Sequence, residues 1–155
     1  MHLISLLKQK IYVLNTMIKK NIIKNAPTPV GNYVHSIELN GMLYLSGVGP
    51  RDPNNNKIPG NKYDEKNNIS DYDIKQQTHA VMDNVKNILE GSNSSWDNLI
   101  DITVFLTDMK NDFKKFNQIY NLYFKDSHAC RTTIEVNALP TDIAIELKCI
   151  AVIKK

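Results

Sequence analysis

From Ile143 to Val152 the chain reads Ile-Ala-Ile-Glu-Leu-Lys-Cys-Ile-Ala-Val, apolar almost without a break and rich in β-branched residues. A half-wetted strand alternates with polar residues, so a run of this kind is expected at the centre of a sheet, covered on both faces. Glu146 lies in its middle. A carboxyl group withdrawn from water must find a partner or shift its pKa.

Just upstream, Cys-Arg-Thr-Thr-Ile-Glu-Val from Cys130 makes a second strand, and Asn137-Ala138-Leu139-Pro140-Thr141-Asp142 between the two is turn chemistry. The spacing predicts a hairpin closing near Leu139, with Arg131 roughly across from Glu146 and Cys130 close to Cys149. A guanidinium fork beside a sheltered carboxyl group can hold a substrate carboxylate while a proton or a water is handled. The same two residues serve equally as a structural ion pair.

Charge is unevenly placed. Five lysines and no acid precede Ala26, so a formal net charge of +3 becomes −2 over the rest of the chain. A mildly acidic domain lacks the basic surface of a nucleic-acid binder, and none is expected as a partner. Residues 1–25 read as an N-terminal extension, a leader or targeting segment, ahead of one domain over 26–155. No apolar run approaches the roughly 18 residues that span a bilayer, and no clean secretory signal is present. A cytoplasmic protein without a membrane partner is the expectation, with a mitochondrial or other organellar location as the alternative. Two isolated cysteines make neither a disulfide framework nor a zinc site. No metal or cofactor is expected.

The remaining elements follow from local chemistry. Prolines keep Ala26 to Gly31 extended; Tyr33–Leu39 and Met42–Ser46 pair around Asn40-Gly41, a favoured two-residue hairpin loop. The glycines of Ser46-Gly47-Val48-Gly49-Pro50 allow backbone to approach a neighbour closely, but no phosphate-loop motif is present. Arg51 to Ser70 is a polar excursion, and its Asp52, Asn54 and Asn56 fail as a calcium loop because Lys57 replaces the required glycine. Asp71 or Asp73 caps a helix carrying Ile74, Thr78, Val81, Met82, Val85, Ile88 and Leu89 on one face, ended by Gly91. Trp96 plugs the next turn. Asp101 to Thr107 is a strand, and Asn111 or Asp112 caps a second helix with a core stripe of Phe113, Phe116, Ile119, Tyr120, Tyr123 and Phe124.

The order β-β-α-β-α-β-β predicts an α+β fold, a five-stranded mixed sheet with two helices on one face. The other face needs cover. A cyclic homotrimer would supply it symmetrically, with sites in clefts between subunits.

As a set, Ala-Pro-x-Pro-Val-Gly-x-Tyr at 26–33, Leu-Ser-Gly-Val-Gly-Pro-Arg at 45–51, Asp-Ile-Thr-Val-Phe-Leu-Thr-Asp-Met at 101–109 and Cys-Arg-Thr-Thr-Ile-Glu-Val-Asn-Ala-Leu-Pro at 130–140 resemble the reactive-intermediate imine deaminases, the YjgF or RidA family. The Gly-Val-Gly-Pro-Arg run, the 51–70 insertion and Cys-Arg-Thr-Thr are similar to the branch related to 2-aminomuconate deaminase. The resemblance implies a chorismate-mutase-like fold, a homotrimer, and hydrolysis of imine or enamine acids to carbonyl compounds and ammonia without a cofactor, a role in metabolite damage control. It puts the carboxylate-binding arginine on Arg131 and the water-orienting or proton-handling glutamate on Glu146. Tyr33, Ser46, Gly47 and Asn111 fall on the family's substrate-binding positions. Thr133 falls where well-studied members carry a cysteine, so no thiol chemistry is implied there. The competing readings are an endoribonuclease or translation inhibitor, an activity attached to family members, and a module that binds small carboxylates without turnover.

Overall fold

Two helices cover one side of a six-stranded sheet, and the residues that face them are the apolar ones of each strand. The computed structural model describes residues 18–126 and 128–153, so residues 1–17 of the leader segment lie outside the described residues. The elements are β1 (Lys19–Asn21), β2 (Ser36–Leu39), β3 (Met42–Leu45), β4 (Lys62–Tyr63), β5 (Ile69–Asp71), α1 (Ile74–Gly91), a single 3₁₀ turn (Trp96–Asn98), β6 (Leu99–Leu106), α2 (Met109–Tyr123), β7 (Cys130–Glu135) and β8 (Ile145–Val152). The main sheet runs β1-β2-β3-β8-β6-β7, with β4 and β5 a separate small ribbon. β1 lies inside the segment read as an N-terminal extension, so the sheet already begins at Lys19.

The β2–β3 hairpin turns on Asn40 and Gly41, whose φ values of 53° and 78° are the left-handed pair that such a loop requires. α1 begins at Asp73, whose carboxylate accepts from the backbone N–H of Lys75 at 2.8 Å and of Gln76 at 3.4 Å. Asp73→Ala is expected to cost about 1 kcal/mol of stability, the usual value for a lost N-cap, measured by urea unfolding. α2 starts earlier than the sequence suggests: Asp108, not Asn111 or Asp112, is its cap, accepting from Asn111 N–H at 3.0 Å. Asp112 turns inward instead and accepts the Tyr72 hydroxyl at 2.7 Å. Burial raises the Asp112 pKa and, with the Asp112 contact, pushes Tyr72 up to about 12. Phe113 departs from the core stripe and is 37% exposed, whereas Phe116 and Tyr120 are buried. Trp96 acts as the expected plug, its ring packed at a tilt against Phe124 and its Nε1 donating to the Tyr123 carbonyl at 2.9 Å.

The final two strands do not form a hairpin. β6 lies between them, parallel to β7 and antiparallel to β8. α2 carries the chain from β6 back to a parallel neighbour, and the loop after β7 then crosses β6 to reach the centre. Burial decides the order. On β8, Ile145, Leu147, Cys149 and Ala151 are at most 1% exposed, while most of β7 is exposed and its sequence is polar. An apolar strand belongs at the centre and a polar one at an edge. For the same reason Cys130 and Cys149 are not neighbours across a ladder; they pair with Asp101 and Ile102 of the intervening β6.

Only one face of β8 is covered within the chain. Glu146, Lys148, Ile150 and Val152 are each partly open on the other face, where Tyr44 of β3 and Phe105 of β6 also point. The polar excursion is mostly exposed, as expected, but it is tied down. Asn61 Nδ2 donates to the Asp142 carbonyl at 2.7 Å, and the fully buried Gln77 joins Asn61 Oδ1 to the Ala144 N–H. These bonds hold the loop leading into β8 against α1, beside the site described next.

Candidate functional site

A cavity of about 70 Å³ opens where the lead-in to β2, the glycine segment after β3 and the loop before β8 converge. Tyr33, Ser46, Gly47, Arg51, Thr141 and Glu146 line it. By the share a water needs, roughly 10–15 Å³, it holds a few waters or one small functional group.

His35 fixes the lead-in. Its Nδ1 accepts from Ile23 N–H at 2.8 Å and its Nε2 donates to the Pro27 carbonyl at 2.9 Å. An amide can only donate and a carbonyl only accept, so the buried ring is the neutral Nε2–H tautomer. The chain from Ile23 to Pro29 is thereby held over the cavity, and Tyr33 hydroxyl accepts from Val30 N–H at 3.3 Å. Ser46 donates its hydroxyl to the Val34 carbonyl at 2.6 Å, which joins the two walls.

Glu146 enters from β8. Val48 and Leu147 exchange backbone bonds of 2.8 and 2.9 Å, so the glycine segment runs directly beside it. A Cβ placed on Gly47 would stand 2.8 Å from Glu146 Cδ and closer still to Oε1. Only glycine admits the carboxyl group there. Burial raises the Glu146 pKa, and Lys148 on the same strand offsets part of the rise.

Arg131 sits elsewhere. Its Nη1 donates to Asn117 Oδ1 at 2.8 Å, and its guanidinium lies 4.4 Å over the Tyr120 ring and 5.8 Å over Phe116. All three partners belong to α2, so Arg131 is on the helix-covered side, level with the buried Ile102. Glu146 pairs with Phe105 and projects from the opposite side. The expected meeting of Arg131 and Glu146 across a hairpin therefore does not occur within one chain. Among the described residues neither arginine, Arg131 or Arg51, forms an ion pair.

Thr133, two residues along β7 on the same side as Arg131, has a buried hydroxyl with no hydrogen-bond partner. Asn111 does not join this cluster; its side chain bonds the Asp108 carboxylate at 2.6 Å near the start of α2. Asn117, further along α2, is the asparagine that bonds Arg131. The available signal was an amide one turn before Tyr120 and next to Phe116 of the aromatic stripe, but Gln118 and Asn121 beside it made it indistinct. Cys149 is fully buried with its thiol pushed up to about 12, which leaves it unreactive. Among the described residues no cluster of His, Cys, Asp and Glu side chains is arranged to hold a metal.

The family model described as endoribonuclease L-PSP matches residues 23–153. The chain belongs to the YjgF/RidA family. A RutC family protein of Pyrococcus horikoshii is 39% identical over 83% of this chain and 92% of its own. Mitochondrial protein Mmf1 of Saccharomyces cerevisiae is 36% identical over 84% of this chain and 81% of its own. Its crystal structure superposes with a TM-score of 0.77, covering 89% of this chain and all of that one. Escherichia coli TdcF, solved with bound serine, gives a TM-score of 0.74 at 31% identity, over 87% of this chain and 100% of its own. The six-stranded sheet and two helices are the chorismate-mutase-like α+β fold of YjgF/RidA structures. No helix among the described residues is long and apolar enough to cross a membrane.

Proposed function

We propose that this YjgF/RidA protein hydrolyses imines and enamines of small carboxylic acids to carbonyl compounds and ammonia, at a site completed by a second copy of the chain. The observation that carries the reading is the division of one chemistry between two faces. A guanidinium without a carboxylate stands at one sheet edge, and a carboxyl group with a raised pKa lines a cavity on the other side. A neighbouring copy whose β7 edge approaches the open face brings the two halves together, and a homotrimer closes this contact on itself. TdcF with bound serine supports a small-molecule site in the family.

Arg131 binds the substrate carboxylate through paired N–H groups, with Asn117 and the Tyr120 ring fixing its plane. Glu146, as the carboxylate, orients a water towards the C=N carbon. As oxygen bonds to carbon, a water proton passes through Glu146 to nitrogen; the amino alcohol then gives its hydroxyl proton to nitrogen by the same route, its C–N bond breaks, and C=O forms as ammonia leaves. The protonated form of the same group delivers a proton to carbon when the substrate is an enamine. Tyr33, Ser46, Gly47 and Thr133 shape the surroundings, and neither metal nor cofactor has a step to perform.

For imine hydrolysis the working form of Glu146 is ionised. Because burial raises its pKa, kcat/KM is expected to fall as pH drops through a value above the ordinary carboxylate range. The measurement is ammonia release from an imine generated in situ, followed across pH, with Glu146→Gln alongside. An acid limb that persists in Glu146→Gln assigns the titration to another group. RNA cleavage that co-purifies with the chain and survives Arg131→Ala would instead support the endoribonuclease reading.

A further inference from the structure

The central strand β8 carries two charged residues, Glu146 and Lys148, in an otherwise uncharged run. Standing two residues apart on one strand, they leave the same open face of the sheet with Cα atoms roughly 7 Å apart. Both reach back over the end of β3 and the segment that follows it. The Glu146 carboxyl group lies against the backbone of Gly47, and Lys148 Nζ donates to the Leu45 carbonyl at 3.4 Å. Among the described residues Lys148 forms no ion pair.

The other ionisable groups around Glu146 are farther off or already engaged. Phe105 stands opposite it on β6, whose one charged residue, Asp101, faces Ile150 four residues along β8. Cys130 of β7 lies beyond Asp101, and Tyr44 of β3 also pairs with Ile150. Around the cavity, the Tyr33 hydroxyl accepts from Val30 N–H, both ring nitrogens of His35 are bonded, and the Arg51 guanidinium is turned to the Thr28 carbonyl at 2.6 Å and Asn56 Oδ1 at 3.0 Å. That leaves the Lys148 ammonium to act on the carboxylate, and it offsets part of the rise that burial gives the Glu146 pKa. We propose that Lys148 is a positioning residue of the reaction: its charge stabilises the carboxylate form of Glu146, which orients the water, and so sets the acid side of the pH range in which imines are hydrolysed. The inference rests on the role given to Glu146 above. A second copy seated on the open face excludes water from the pair and weakens its screening. Arg131 of that copy does not duplicate the role, because the substrate carboxylate takes its charge.

The test follows ammonia release across pH from the imine that an amino-acid oxidase forms from leucine, using the full chain as wild type, Lys148→Gln and Lys148→Arg. Lys148→Gln is expected to move the acid limb of kcat/KM up by between about half and one and a half pH units, the span for one unit charge at roughly 7 Å between bulk water and a protein surface. Lys148→Arg keeps the wild-type limb, since the charge is retained. In parallel, carbon-13 NMR follows the titration of the Glu146 carboxyl group, assigned by the loss of its signal in Glu146→Gln, and its midpoint should rise with the limb. A Glu146 midpoint that stays put in Lys148→Gln overturns the proposal and leaves the site reading standing. In that case a rate lowered by one factor at every pH marks a purely structural lysine. A midpoint that rises without the limb following removes Glu146 from the reaction, and the proposal falls together with the reading it rests on.

Discussion

Arg131→Ala is expected to lower kcat/KM for imine hydrolysis by about 10²- to 10³-fold, the range for removing one partner of a buried, hydrogen-bonded charge pair. The loss falls on binding and orientation together, because the carboxylate that Arg131 grips is what places the C=N carbon near the water. Arg131→Lys should recover little, since an ammonium cannot reproduce the planar fork or its stack on Tyr120. The fold should hardly notice. Arg131 is exposed and its stacking is worth about 0.5–1 kcal/mol, so the unfolding midpoint should move only slightly. Near-normal turnover in a well-folded Arg131→Ala would remove the carboxylate anchor from this residue. Mixing that variant with Glu146→Gln is a sharper check of a shared site: subunit exchange should restore part of the activity, because some interfaces then combine the two intact halves.

Gly47→Ala has the second largest expected effect, and it acts through Glu146. The added methyl would occupy the space of the carboxyl group, with Cδ 2.8 Å away and Oε1 nearer. Since the neighbour is the end of a side chain on a well-packed strand, the carboxylate swings out of the cavity while β8 stays in place. A displacement of about 1 Å can cost roughly 10²-fold in rate, while stability should fall little, because what must move is the far end of a flexible side chain. The double variant Gly47→Ala, Glu146→Ala is the control: it should match Glu146→Ala in both stability and activity, since the methyl then meets nothing. A fully active Gly47→Ala would mean that the carboxyl group has no fixed working position.

Much of the fold was legible because the signals are local. Asn40-Gly41 specifies its hairpin through two left-handed residues, α1 ends at the glycine that its period predicts, and Trp96 seals the turn into β6. The α2 start was misread for an equally local reason. Asp108, Asn111 and Asp112 can each cap a helix, and only the inward turn of Asp112 towards Tyr72 leaves the cap to Asp108. Asn117 was hidden in the same helix, where its value depends on which strand passes beneath it.

The amino-acid sequence by itself determined most of the elements, though not β1 or the β4–β5 ribbon, together with the family and the sheltered glutamate, since periodicity, turn chemistry and motif spacing act over a few residues. The tertiary structure decided which strand lies beside which. Two strands adjacent in the chain are parted by β6 because α2 returns β7 parallel to it and the apolar β8 takes the centre. With three strands in that order, Arg131 and Glu146 leave the sheet from opposite faces. Strand pairing is a competition among distant segments for burial, and no local pattern records its outcome.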